Sequence, residues 1–290
     1  MKVDNAIILA AGTSSRFAPL SYEKPKGLFV VKGEVLIERQ IRQLQESGIS
    51  DIYVVTGYKA DQFEYLKERF GVHLLFNPDY NIRNNHSSIW VVKEHLKNSF
   101  VCSSDNYFVQ NPFSSEVDEP YYAAVYVQGM TNEWCLTVDD SNYITSVQIG
   151  GRDSWIMLGH TFWDEKFSQE FLSILQKEYE NPSTANQLWE HIYINNLSSL
   201  KMKIRKYNLG FIFEFDTLDE LRTFDKSYIV DSKSNILKEI AGILDVEEYQ
   251  IIDAKPITGF DNLSLGFTFS CKGNTYSYIY NSKELILKAE

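Results

Sequence analysis

The sequence predicts an α/β protein built on a mixed, mostly parallel central sheet, with a small α+β module appended at its C-terminal end. Three observations carry that expectation. Short continuous apolar runs alternate with helix-period segments through the first half, the pattern of strands buried on both faces and joined by covering helices. The second half changes to shorter strands of a more antiparallel style. A further shift in composition near Asp231 (VDSKSN) precedes one helix and three strand-like runs. At 290 residues the chain can form one large domain or two ordinary ones. Its 44 % hydrophobic and 23 % charged residues exclude a disordered chain.

Residues 5–9 form the first strand. Residues 35–44 place Leu36, Ile37, Ile41 and Leu44 at helical spacing, with Gly48 as the stop. Residues 51–56 (DIYVVT), 72–76 (VHLLF) and 100–103 read as further strands, with helices over 61–70 and 86–96 between them. Four short strands follow at 121–127, 134–138, 144–149 and 154–158, then helices at 166–179 and 185–195. Residues 202–206 and 211–215 read as strands and 218–224 as a closing helix. The last part reads as a helix over 236–244 and strands around Ile251, Phe267 and Tyr278, so domains are expected at 1–228 and 229–290.

A formal charge of −11, from 28 basic against 39 acidic residues, argues against a broad cationic face for nucleic acid or anionic lipid. It leaves room for an anionic small molecule held by a few local cations. The run KMKIRK at 201–206 alternates Lys201, Lys203 and Arg205 as the solvent face of a half-buried strand would. No apolar run approaches the ~20 residues of a membrane helix. Cys102, Cys135 and Cys271 are odd in number and far apart, which supports neither a disulfide framework nor a zinc ribbon. Neither nucleic acid nor membrane is expected as a partner, and the cytoplasm is the expected compartment. His73, His95, His160 and His191 show no metal-ligand spacing, and His86 reads as a surface helix residue.

The segment LAAGTSSRFAPLSYEKPKGLFVVKG carries the chemistry. A strand runs into Ala10, Ala11 and Gly12, small residues that let a ligand approach the backbone. Thr13, Ser14 and Ser15 add hydroxyls and N–H groups suited to phosphate oxygens, and Arg16 and Lys26 add positive charge. No Gly-x-x-x-x-Gly-Lys-Ser P-loop is present, so this is a different phosphate cradle. Asp105 follows the strand FVCSS, at the carboxyl end where open α/β sheets place their ligands. Glu214 and Asp216, in FEFDT, are two apart and on one side of the expected strand. Three hard carboxylates fit Mg²⁺. Helix capping at Asp216 or Thr217 is the alternative for that pair.

The segments LAAGTSSR, KPKGLF, VVTGYKADQFEYL, SSDNY, TNEWCL and FEFDT together resemble the bacterial CTP:phosphocholine cytidylyltransferases. These belong to the Rossmann-like nucleotidyltransferase fold of the sugar-nucleotide pyrophosphorylases. The likeness spans roughly residues 5–228. Sugar-nucleotide members usually carry a second Gly where Ser14 stands, which disfavours a sugar-1-phosphate. The resemblance implies in-line attack of a substrate phosphate oxygen on the α-phosphorus of CTP, with no protein nucleophile. It implies Lys26 bridging the attacking group and the α-phosphate, Arg16 on the β- and γ-phosphates, and Mg²⁺ on Asp105, Glu214 and Asp216. Base reading is assigned to backbone atoms of Ala10, Ala11 and Gly12 and to Asn85 and Ser88. Thr13 and Ser14 complete the nucleotide site.

On the acceptor side, Trp134 in TNEW matches the position associated with a choline head group, and Trp189 and Glu190 in QLWEHI match an aromatic–Trp–acid run. Leu188 replaces the first aromatic of that run, which weakens a trimethylammonium cage. Phosphoethanolamine and 2-aminoethylphosphonate are therefore rival acceptors. For Trp189, packing in the core of an amphipathic helix is the alternative. The tail KPITGFDNLSLGFTFSCKGNTYSYIYN resembles the first lobe of a choline kinase through Gly259 and Asn262, without the basic residue expected for phosphate contact. It reads either as part of a longer fused protein or as a remnant used for packing, and predicts no kinase activity.

Overall fold

A computed structural model describes residues 1–259 and 264–288. They group into two compact units: Met1–Gly12 with Leu36–Glu214, and Thr13–Val35 with Phe215–Glu290. This grouping differs from a single cut after residue 228, because the segment carrying Arg16 and Lys26 joins the C-terminal part of the chain.

The first unit contains a seven-stranded sheet among the described residues. Its strands are β1 (Asn5–Ala10), β2 (Ile52–Thr56), β3 (His73–Phe76), β4 (Ser99–Ser103), β5 (Tyr121–Val138), β6 (Ile144–Trp163) and β7 (Lys203–Tyr207). They lie side by side in the order β7-β5-β6-β4-β1-β2-β3. β1 pairs in parallel with both β2 and β4, and β6 is antiparallel to its neighbours β4 and β5. The chain therefore leaves β1 toward β2 and β3 on one side and returns to β4 on the other. That reversal opens a crevice at the carboxyl ends of β1 and β4, where such folds bind ligands.

α1 (Leu36–Glu46) buries Leu36, Ile37, Ile41 and Leu44, the positions that the sequence period selects. The other helices of this unit are α2 (Tyr65–Phe70), α3 (His86–Val91), α4 (Glu165–Glu180) and α5 (Trp189–Asn195). Ile7, Val55, Ile89, Val101, Trp163, Phe171 and Tyr193 belong to one buried cluster between sheet and helices.

The four short strands expected between 121 and 158 are instead two long ones, β5 and β6. Polar, glycine-containing stretches that read as strand ends are bulges: the pairing shifts register between Val127 and Met130, and the Gly129 N–H donates to Asp153 Oδ1 at 2.8 Å. The expected strand at 211–215 shrinks to Ile212–Phe213, paired with Tyr107–Phe108. Glu214 and Asp216 lie outside it, so strand alternation does not place them on one side.

In the second unit, α6 (Leu218–Phe224) is capped by Thr217, whose Oγ1 accepts from the Glu220 N–H at 3.2 Å. α7 (Asn235–Leu244) precedes a four-stranded antiparallel sheet of β8 (Ile252–Thr258), β9 (Ser264–Cys271), β10 (Asn274–Ile279) and β11 (Glu284–Leu287), in that order. The sequence period shows three of these. The four-residue β11 is too short to carry a period of its own and is defined by pairing with β10, Leu285 opposite Tyr278. Among the described residues, no helix is long and apolar enough to cross a membrane.

Candidate active site

In the first unit, the turn after β1 and the turn after β4 are joined at the crevice. The Ser104 N–H donates to the Leu9 carbonyl at 3.0 Å, and the Tyr58 N–H donates to the Ala11 carbonyl at 3.0 Å. A Cβ on Gly12 would meet nothing within 4 Å, so the space above this loop is open to a ligand. Gly57 is the opposite case. A Cβ there would lie 2.6 Å from Tyr80 Cβ and 2.9 Å from the Ala11 carbonyl oxygen, so only glycine lets the β2 turn close on the β1 turn.

Asp105 is half-buried in a turn held from behind by α1. Gln40 Nε2 donates to the carbonyls of Ser103 at 2.8 Å and Asn106 at 2.9 Å, one on each side of Asp105. Asn106 is buried, and its Nδ2 donates to Glu214 Oε2 at 3.3 Å. One carboxylate is thereby held beside the residue that follows the other. Mg²⁺ commonly takes one or two protein carboxylates and fills its remaining positions with water and phosphate oxygens, so Asp105 and Glu214 fit it as a donor set. Among the described residues, no group of three or more His, Cys, Asp or Glu side chains is placed to hold a metal ion. Asp216 belongs to the other unit.

A second cluster in the same unit joins α3 to α5. Asn85 Nδ2 donates to Glu190 Oε2 at 3.1 Å, while its Oδ1 accepts from the Trp189 N–H at 2.7 Å. Burial pushes the Glu190 carboxyl up to about 7, against the opposing hydrogen bonds from Asn85 and from its own backbone N–H. Tyr122 rises well above its ordinary value, through burial first and then through the charges of Glu190 and Glu214. Trp134, half-buried on β5, lies 5.0 Å from the His191 ring on α5, a tilted pair. Trp189 is 3 % exposed and packs against Tyr122, Trp163 and Phe171, in the core rather than as an open aromatic wall.

Two further expectations meet a different environment. Ser88 is buried, and its Oγ accepts from Asn77 Nδ2 at 3.1 Å, which also donates to Ser87 Oγ at 2.8 Å. Ser88 and Asn85 thus face protein partners. His86 is not a surface residue: it is fully buried and its Nδ1–H donates to the Gln187 carbonyl at 2.6 Å. Burial lowers its pKa and keeps the ring neutral.

In the second unit, Ser14 takes φ 47° and ψ 41°, a left-handed conformation that favours glycine. Arg16 Nη1 donates to Asp216 Oδ2 at 2.7 Å. Lys26 is 6 % exposed at the start of a short 3₁₀ turn, Lys26–Leu28, with its ammonium 5.6 Å from the Phe17 ring centroid. Both cations lie between Thr13 and Val35, as the sequence places them.

Sequence reasoning did not single out Gln40, Asn77, Asn106 or Tyr122. A signal existed for two of them. Gln40 is a polar residue on the apolar face of α1, and Asn77 precedes Pro78 at a strand end. The roles of Asn106 and Tyr122 depend on partners about 70 to 110 residues away.

A strand order that reverses beside β1, a small-residue turn at the carboxyl edge and a carboxylate after β4 are features of an open, Rossmann-like α/β sheet that binds its ligand at the switch point. Comparison with known proteins identifies the class as nucleotidyltransferase. Residues 6–128 match the MobA-like NTP transferase domain. The chain is 35 % identical over 221 residues to the choline-phosphate cytidylyltransferase of Streptococcus pneumoniae, covering 76 % of this chain and 96 % of that one. It is 31 % identical to the 2-aminoethylphosphonate cytidylyltransferase of Lancefieldella rimae, covering 78 % and 93 %. The solved CTP:phosphocholine cytidylyltransferase of Streptococcus pneumoniae superposes with a TM-score of 0.75 over 78 % of this chain and 99 % of that one. The inositol-1-phosphate CTP transferase from T. maritima, at 15 % identity and a TM-score of 0.58, shares the fold over 77 % of this chain and 96 % of its own. The chain belongs to the bacterial cytidylyltransferase family that contains the first two relatives, and it is an enzyme.

Proposed function

We propose that this enzyme transfers CMP from CTP to phosphocholine, giving CDP-choline and pyrophosphate. The observation that carries this reading is the 35 % identity across nearly the whole length of a choline-phosphate cytidylyltransferase. An oxygen of the acceptor phosphate attacks the α-phosphorus, a new P–O bond forms, and the bond to the β-phosphate oxygen breaks as pyrophosphate leaves. Catalysis is positioning plus charge neutralisation. Lys26 holds the attacking group against the α-phosphate. Arg16 exchanges its Asp216 partner for the β- and γ-phosphates. The Ala10–Gly12 backbone, Thr13 and Ser14 cradle the nucleotide, with Asn85 and Ser88 ordering its base side. Asp105 and Glu214 would hold Mg²⁺, and the ion would neutralise phosphate charge. Trp134 offers an aromatic face and Glu190 a carboxylate to the acceptor cation.

A second reading has its own support. With Trp189 in the core and Leu188 in place of an aromatic, the cage around Glu190 is thin, which suits the primary ammonium of 2-aminoethylphosphonate or phosphoethanolamine. The choline-kinase likeness of the tail rests on sequence, Asn262 lies outside the described residues, and no kinase step is proposed. Pyrophosphate release with CTP and Mg²⁺ against the three acceptors in parallel tests both readings. A preference for phosphocholine is the expected result; preference for a primary amine selects the second reading, and silence with all three overturns both.

A further inference from the structure

The choline-phosphate cytidylyltransferase of Streptococcus pneumoniae and the 2-aminoethylphosphonate cytidylyltransferase of Lancefieldella rimae match 76 % and 78 % of this chain while being 96 % and 93 % covered themselves, so this chain carries a further part without counterpart in them. The sequence likeness ends near residue 228, and within the second unit the residues after it are hydrogen-bonded to the segment that carries Arg16 and Lys26. Glu23 makes the principal connection. Its carboxylate accepts from Ser234 Oγ at 2.7 Å, from the Asn235 N–H at 3.0 Å and from the Ile236 N–H at 2.9 Å. It thus caps α7 from more than two hundred residues away, beside the ordinary cap that Ser234 gives to the Leu237 N–H.

Other contacts fasten the same segment along its length. Tyr22 stacks on Tyr280 with ring centroids 3.7 Å apart and planes 9° from parallel. Tyr228 Oη and Lys233 Nζ both donate to the Val30 carbonyl, at 3.0 and 3.1 Å. The Lys32 N–H donates to Asp225 Oδ2 at 2.7 Å. Strand β8 packs against the Ser15–Phe17 turn that bears Arg16. A glycine- and serine-containing loop of this length would otherwise lose considerable conformational entropy on ordering around a triphosphate.

We propose that α7 and the β8–β11 sheet are a clamp that pre-orders the 13–35 loop for the triphosphate of CTP, with Glu23 as the positioning residue that transmits it. The proposal deepens the function given above and rests on Lys26 and Arg16 acting on CTP. Glu23 acts by holding the chain three residues before Lys26.

Hydrogen exchange and steady-state kinetics on the 290-residue chain carrying Glu23→Ala or Tyr280→Ala test it, with Tyr280→Phe as the conservative control. Amide exchange in residues 13–35 should rise about tenfold in both alanine variants while exchange in β1, β2 and β4 stays at the wild-type rate. The KM for CTP should rise several-fold, the KM for the acceptor should stay unchanged, and Tyr280→Phe should behave as wild type. Should one alanine variant fail to fold, the other carries the same comparison. Unchanged exchange in 13–35 with a CTP KM within twofold of wild type would overturn the clamp. If the wild-type enzyme releases no pyrophosphate from CTP, the proposed reaction fails, and the exchange of 13–35 alone decides whether the clamp exists.

Discussion

The two units build their parts of the candidate site by opposite means. In the first, the Asp105 turn and the Asn85–Glu190 pair are set by side chains on the covering helices and on the turns at the ends of the strands. Buried amides do the holding: Gln40 on the backbone around Asp105, Asn106 on Glu214, Asn77 on the start of α3. In the second, the loop with Arg16 and Lys26 is held by residues from the far end of the chain. The difference teaches that the Asp105 and Glu190 clusters are fixed by partners up to 108 residues away within the first unit, whereas the Thr13–Val35 segment takes its order from partners 193 or more residues away. On the proposed function, the loss of those contacts touches CTP before it touches the acceptor.

The largest test of that contrast is chemical. Lys26→Ala should lower kcat by ~10²–10³, the usual loss for a charge-stabilising contact at a phosphoryl centre, while far-UV circular dichroism stays unchanged. A loss within a few-fold of wild type would remove Lys26 from the chemistry. In the sheet unit, Gly57→Ala should cost about 2 kcal/mol of stability, read as a lowered Tm, because its Cβ collides with Tyr80 and the Ala11 carbonyl. An unchanged Tm would mean that the two turns are looser than described.

Glu190 offers a pH test confined to the acceptor side. Its carboxyl titrates near 7, so its ionised fraction grows as pH rises through that value, and the ionised form attracts an ammonium. kcat/KM for the acceptor should climb between about pH 6 and 8, and Glu190→Gln should flatten the climb and cost about tenfold above pH 8. The stability sign is the reverse. A carboxyl raised above its unfolded value, ~4.3, destabilises the fold progressively as pH rises from that value to about 7, so Glu190→Gln should be the more stable protein above neutrality. A pH profile identical in both proteins would separate Glu190 from acceptor binding. The smallest effect belongs to the loop: Ser14→Gly should gain about 1 kcal/mol by relieving its left-handed backbone, measurable as a shift in denaturation midpoint.

The alternation of strands and helices through residue 103 was legible because the strands are short, mainly apolar runs and α1 shows a helical period in Leu36, Ile37, Ile41 and Leu44. The long hairpin β5–β6 was not, since a bulge keeps backbone pairing while placing Gly129 and polar residues inside a strand, where a local pattern registers an end. Arg16, Lys26 and Asp105 were visible as charged residues next to strand ends and small-residue turns. The geometry of Glu214 and Asp216 was misjudged from alternation, because Ile212–Phe213 is too short to carry it. The environment of Trp189 stayed open at the level of sequence for a related reason: an amphipathic helix shows which residue is apolar but not whether its face meets a ligand or the core.

Sequence by itself determined the α/β class, the order of the elements up to β4 and the residue types that can neutralise a triphosphate. These depend on local periodicity and on chemistry carried by single side chains. Tertiary structure alone decided that Glu190 titrates near neutrality, that His86 is buried, and that the Thr13–Val35 loop belongs with the C-terminal part of the chain. Burial and capping are properties of what surrounds a residue, and here the surrounding groups come from a hundred to more than two hundred residues away.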